Sequence, residues 1–194
     1  MRKGARRNDW TTEQVAYLIE NAGRVPKREI SLHVKKSAKA VERMAARLRE
    51  QGHPVELRYF ESRLVFCPSC GCMRLTAAEK GICEPCRRRD QLEAVQARIS
   101  ELWPLLTPAQ RDLYEDTEAE TESRRDPMPK KPDTAGMSYY RQQSRLERWL
   151  IECEQIQAAN LMREVKAAQK RKERIEKKVR TNGGLPPKAK RHKR

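Results

Sequence analysis

Apolar positions in the first fifty residues recur at helical spacing and are interrupted twice. Trp10, Val15, Leu18 and Ile19 share one face of a helix that Asp9 or Thr11 can cap and Gly23 ends. Ile30 and Val34, spaced i and i+4, mark a second helix opening at Pro26, a residue suited to a first turn. A Lys35-Lys36 turn leads to Ser37, an N-cap side chain. The third helix runs from about Ala38 to Gln51, with Val41, Met44, Ala45 and Leu48 inward and Gly52 as its stop. The period then changes. Residues 55–66 are apolar enough for one or two short strands, residues 73–82 read as a hairpin or loop, and a helix is predicted from Arg87 to about Leu102.

Trp103-Pro104 breaks that helix. Thr107-Pro108-Ala109-Gln110 is a capping-box pattern with proline at the first helical position, and it opens an acidic helix to about Thr121. Residues 123–137, with Pro127, Pro129, Pro132 and Gly136, read as a linker. From Ser138 to about Arg180 there is neither proline nor glycine, which predicts one helix of about 65 Å. Leu146, Trp149, Leu150, Cys153, Ile156 and Leu161 lie close to one stripe of it; in the second half Val165, Ile175 and Val179 are sparse among lysines and arginines. Such a helix needs its stripe covered, either by the 107–121 helix or by a second copy in a coiled-coil homodimer through residues 138–181. Asn182-Gly183-Gly184 stops it, and a disordered basic tail is expected beyond. The predicted fold is mainly α, divided at 1–52, 53–103, 104–137, 138–181 and 182–194.

Composition favours small modules over one large core: of 194 residues, 37% are hydrophobic and 5% aromatic. The net charge of +16 points to an anionic partner, nucleic acid first and an acidic membrane surface second. The charge is uneven, with +7 over residues 1–60, +1 over 61–103, −3 over 104–137 and +11 over 138–194. Two separate contacts with a polyanion, joined by a near-neutral body, would give this pattern. No apolar run is long enough for a transmembrane helix, and no apolar stretch follows the basic start as a signal peptide requires. The expected location is the cytoplasm of a bacterium or phage-infected cell, or the nucleus in a eukaryote, where the tail would pass as a localisation signal.

A reducing compartment makes six cysteines metal ligands or free thiols rather than disulfides. Cys67 and Cys70 form one C-x-x-C pair, Cys83 and Cys86 a second, with twelve residues between Cys70 and Cys83. Four thiolates around one Zn²⁺ make a closed tetrahedral, structural site. An iron–sulfur cluster or a redox pair fits this spacing less well. Cys72 lies two residues from Cys70 and can replace it as a ligand, although the C-x-x-C spacing makes it the spare. Cys153, alone in an amphipathic helix, reads as a small core residue. The order of knuckle, hairpin and second pair at a helix start resembles the treble-clef or zinc-ribbon class of four-cysteine finger, in which the helix dipole favours thiolate at Cys83 and Cys86.

The N-terminal stretch resembles the Myb/SANT-like (homeodomain-like) helix-turn-helix family. The matching residues are Trp10-Thr11-Thr12-Glu13 with Leu18, Glu29-Ile30-Ser31 with Val34, Lys36-Ser37, and Ala40-Val41 with Ala45 and Leu48. It departs in having one tryptophan here, and in placing Lys35 where the family often has a turn glycine. The resemblance implies that the third helix lies in the major groove of duplex DNA, presenting Lys36, Ser37, Lys39, Ala40, Arg43 and Arg47. Arg43 is the candidate for base contact; Lys36, Lys39 and Arg47 suit phosphates. Glu42 can accept from a cytosine amine or sit near Lys39 or Arg43. Arg6 and Arg7, in the leading arm, are placed to follow a minor groove. A protein-binding three-helix module is the competing reading.

No catalytic constellation is present: no phosphate-cradling glycine loop, no nucleophile with a matched histidine, no open metal site. The expected function is therefore sequence-specific DNA binding, as a bacterial or phage transcriptional regulator, with no enzymatic activity, membrane or small-molecule substrate. Alternatives are a phage small-terminase-like assembly protein and an RNA-binding zinc protein.

Overall fold

Capping decides where the first helices begin. In the computed structural model, which describes residues 9–75, 81–112 and 124–186, α1 (Thr12–Asn21) starts at Thr11. The Thr11 hydroxyl accepts from the Gln14 amide at 3.2 Å, and the Gln14 side chain accepts from the Thr11 amide at 3.1 Å. This is a capping box, a device worth about 1 kcal/mol. α2 (Lys27–His33) follows Pro26, which stands at the N-cap, one position earlier than expected. α3 (Ala38–Glu50) starts at Ser37, whose hydroxyl accepts from the Ala40 amide at 3.2 Å. The α2–α3 turn is held from two sides. Gln14 donates to the Val34 carbonyl at 2.9 Å, and Ser31 donates to the Lys36 carbonyl at 2.6 Å. Lys35 sits between them at φ 51°, the left-handed region that disfavours a side chain.

The chain divides into two compact units, Met1–Arg63 with Lys130–Trp149, and Leu64–Pro129 with Leu150–Arg194. In the first, Leu18, Ile30, Val34, Val41, Ala45, Leu48 and Val55 form one buried apolar cluster, with Trp10, Val15, Met44 and Leu57 packed against it. Gly23 is required twice over. Its φ is +82°, and an added Cβ would stand 3.2 Å from the Tyr140 amide nitrogen and 3.4 Å from the Glu56 and Arg58 carbonyl oxygens. Of the one or two short strands expected in residues 55–66, one forms at Val65–Phe66, and residues 55–64 are not in a strand. Val55 joins the core, and the Phe60 amide donates to the Gly23 carbonyl at 3.0 Å.

The long helix, α5 (Tyr139–Thr181), begins in this unit. Arg24 lies over the Tyr139 ring at 4.5 Å and Arg58 over the Tyr140 ring at 4.7 Å. Glu147 is buried and accepts from the Arg63 amide at 2.7 Å and the Ser62 hydroxyl at 3.2 Å.

In the second unit, β1 (Val65–Phe66) pairs antiparallel with β2 (Met73–Arg74), Val65 opposite Arg74 and Phe66 opposite Met73. α4 (Glu84–Leu102) starts earlier than expected, because Cys83 itself is the N-cap and Pro85 fits the first turn. It ends in a 3-10 turn, Trp103–Leu105. Ile99, Leu102 and Leu106 bury Ile175 and Val179 of α5. Ile175 and Val179, in the second half of α5, are thus covered from residues 99–106, while most of the 107–121 helix expected as cover lies outside the described residues. Residues 108–112 are helical as expected. The linker stretch is pinned to α5 where it is described: Arg125 pairs with Glu164 at 2.9 Å, Arg163 pairs with Asp126 at 2.6 Å, and the Asp126 amide donates to Asn160 at 2.9 Å. Two further catches hold the hairpin. The Leu75 amide donates to buried Glu154 at 2.8 Å, and Arg74 donates to Gln157 at 2.9 Å.

Candidate metal centre and basic helix face

The hairpin and α4 deliver four thiols to one point. β1 leads into Cys67, and the turn closes with the Gly71 amide donating to the Cys67 carbonyl at 2.8 Å and the Cys67 amide donating to the Cys72 carbonyl at 3.0 Å. Gly71 supplies the positive φ, +67°, that this knuckle needs. Cys83 and Cys86 lie at the N-cap and in the first turn of α4. The Sγ atoms of Cys67, Cys70, Cys83 and Cys86 all lie within 4.8 Å of one another, so this set can hold a metal ion. Cys67 and Cys86 are 4.0 Å apart, Cys70 and Cys83 3.8 Å. A tetrahedral ion bound to sulfur at about 2.3 Å requires sulfur–sulfur edges of about 3.8 Å. The donor set and its dimensions therefore fit a zinc-sized ion with no vacant coordination position.

Cys72 is not part of the cluster. It is exposed, and its Sγ lies 3.6 Å from the Cys70 carbonyl oxygen. Cys153 is buried on α5, and burial pushes its thiol pKa up.

Electrostatics divide the four cysteines by pair. The Cys83 amide donates to the Cys67 sulfur at 3.3 Å and is the main reason that the Cys67 thiol falls from 9.0 to about 6. The Cys70 thiol is lowered chiefly by the backbone of Cys72. At Cys83 and Cys86 burial is the leading influence and raises the thiol pKa. At Cys83 the backbone of Cys86, in the first turn of α4, acts the other way and lowers it, so the influence expected of the helix start operates beneath the larger cost of burying a negative charge. A dication at the centre would reverse it.

The second candidate site is the outer face of α3. Val41, Ala45 and Leu48 are buried, which fixes the helix's rotation. Lys39, Arg43 and Arg47, spaced i, i+4 and i+8, stand exposed on the opposite side and form no ion pair among the described residues. Glu42 feels the charge of Lys39, but its ion pair lies elsewhere. It pairs with Lys27 of α2, and that hydrogen bond holds its carboxyl below the usual range. Ser37 is exposed but engaged as the N-cap, and Ala40 is half-buried. Lys36 donates to the Asp9 carbonyl at 2.9 Å, tying α3's approach to the start of α1. Arg6 and Arg7, the acidic positions after residue 112 and the tail after residue 186 lie outside the described residues. Lys27 as the partner of Glu42, and Gln14 and Ser31 as supports of the turn, were not singled out from the sequence. Their contacts span five to twenty positions and leave no local pattern.

No helix among the described residues is long and apolar enough to cross a membrane. No protein-family model, curated protein or solved structure matches the chain.

Proposed function

We propose that this chain is a sequence-specific DNA-binding protein, acting as a bacterial or phage transcriptional regulator, with one structural Zn²⁺ held by Cys67, Cys70, Cys83 and Cys86. In this reading α2 and α3 act as a helix-turn-helix of the Myb/SANT-like kind, and α3 enters the major groove. The observation that carries it is the ridge of Lys39, Arg43 and Arg47, exposed and without ion pairs among the described residues on a helix whose other face is buried. Arginine at such a ridge suits guanine edges, and lysine suits phosphates. Glu42 pairs with Lys27 of α2 and forms no ion pair with the ridge among the described residues. Arg6 and Arg7 are assigned the minor groove on sequence grounds. The zinc ion is assigned a structural role because four cysteine donors complete a tetrahedron and leave no position for water or substrate.

The test is selection of duplexes from a random pool by the full zinc-loaded chain at about physiological salt, where nonspecific binding is weakened. A motif should emerge. Arg43→Ala should relax it at one position, and Lys39→Ala should weaken all sequences alike. Recovery of no motif, with affinity collapsing as salt rises, would leave a nonspecific polyanion binder and favour an assembly or RNA-binding role.

A further inference from the structure

A second cationic face lies on α5. Its apolar side is fixed, since Val165, Ile175 and Val179 are buried and the last two pack on Ile99, Leu102 and Leu106. The side facing away carries Lys166, Lys170, Arg174, Lys177 and Lys178, all exposed. None of the five forms an ion pair among the described residues. The nearby acids are engaged elsewhere: Glu164 with Arg125, Glu176 with Arg180, and Asp126 with Arg163. Glu173 is the one acid on the same arc. The five cations extend over about 18 Å of helix.

Two ordinary explanations do not account for this face. Cations near a helix C-terminus offset its dipole, but that effect fades within the last turn. The helix ends at Thr181, so Lys166, Lys170 and Arg174 lie beyond its reach. Nor is it a mixed, solubilising surface. Lys166–Lys170, Lys170–Arg174 and Arg174–Lys178 are like-charge pairs at i, i+4, and each weakens the helix it sits on. Such a row is relieved by an external polyanion. A membrane-binding helix would keep an apolar face free beside its basic one, and here that face is filled by α4.

We infer that the Lys166, Lys170, Arg174, Lys177 and Lys178 face of α5 is a second docking surface, which grips the phosphate backbone of duplex DNA without reading its sequence. That the polyanion is duplex DNA rests on the proposed function, although this surface does not require α3 to read bases. Its contribution is to affinity and salt dependence, through counterion release.

The test uses the full zinc-loaded chain and its Lys166→Gln/Lys170→Gln/Arg174→Gln/Lys177→Gln variant. Glutamine is a good helix former, so the exposed helix is retained and far-ultraviolet circular dichroism checks it. Binding of an arbitrary-sequence labelled duplex is followed by anisotropy across a salt series. Each lost phosphate contact removes about 0.9 from the slope of log affinity against log salt. The variant's slope should be shallower by about 2 to 4, and Lys170→Gln/Arg174→Gln alone should give about half that change. The same decrement should appear on an Arg43→Ala background, which separates this surface from α3. An unchanged slope overturns the inference, including the case in which the variant instead loses adsorption to phosphatidylserine vesicles.

Discussion

The three-helix segment and the cysteine segment reach order by opposite means. Residues 12–50 bury seven apolar side chains (Leu18, Ala22, Ile30, Val34, Val41, Ala45 and Leu48) at 0–4% exposure, set there by helical spacing and by caps at Thr11 and Ser37. The cysteine cluster has almost no carbon core: three buried thiols, with Cys70 and Ile82 packed beside them. Its strands are two residues long, and both residues of β1 are exposed. Apolar burial of about 25 cal/mol per Å² can hold the first segment and has little to act on in the second. The lesson is that where a segment is too short and too polar to build a core, the residues brought together are instead four thiols that could hold a metal ion, and metal binding can supply folding energy that burial does not.

The largest expected effect follows from breaking the metal side. Cys83→Ser removes a buried ligand at the N-cap of α4, and should abolish stoichiometric zinc binding as read by elemental analysis. The ordering of residues 65–75 and 81–86 should go with it, since structural zinc is worth roughly 10–16 kcal/mol in small fingers. Cys72→Ser sharpens the point, because it should keep one zinc per chain. Next in size is the apolar side. Leu18→Ala empties a fully buried position and should cost about 2–5 kcal/mol in denaturant unfolding, with zinc stoichiometry unchanged. The smallest effect is a gain. Lys35 holds φ 51°, so Lys35→Gly should stabilise the α2–α3 turn by at most about 1 kcal/mol, partly offset by the freer unfolded chain. A loss of stability there would mean that the Lys35 side chain has a role beyond the turn.

What the sequence made legible was local. Caps, glycine stops and the C-x-x-C pairs are signals within a few residues, and Thr11, Ser37, Gly52 and the four cysteines stand where those signals place them. What it hid was pairing at a distance. Residues 55–66 are apolar enough for one or two short strands, and one forms at Val65 and Phe66, while Val55 and Leu57 pack in the apolar core instead. Glu147 and Glu154, seven apart on α5, are buried acceptors for the amides of Arg63 and Leu75, contacts that no local pattern marks. The cover for Ile175 and Val179 comes from α4, some seventy positions away. Cys72 illustrates the boundary: spacing leaves it a candidate ligand, and geometry turns it outward.

The most direct measurement of this contrast is amide hydrogen exchange on the full chain before and after zinc is stripped by a strong chelator. The account predicts that amides of residues 65–75 and 81–87 lose protection on zinc removal, while those of α1 and α3, closed by Leu18, Val41 and Leu48, keep theirs. Unchanged protection around the four cysteines, or simultaneous loss in α1 and α3, would contradict it.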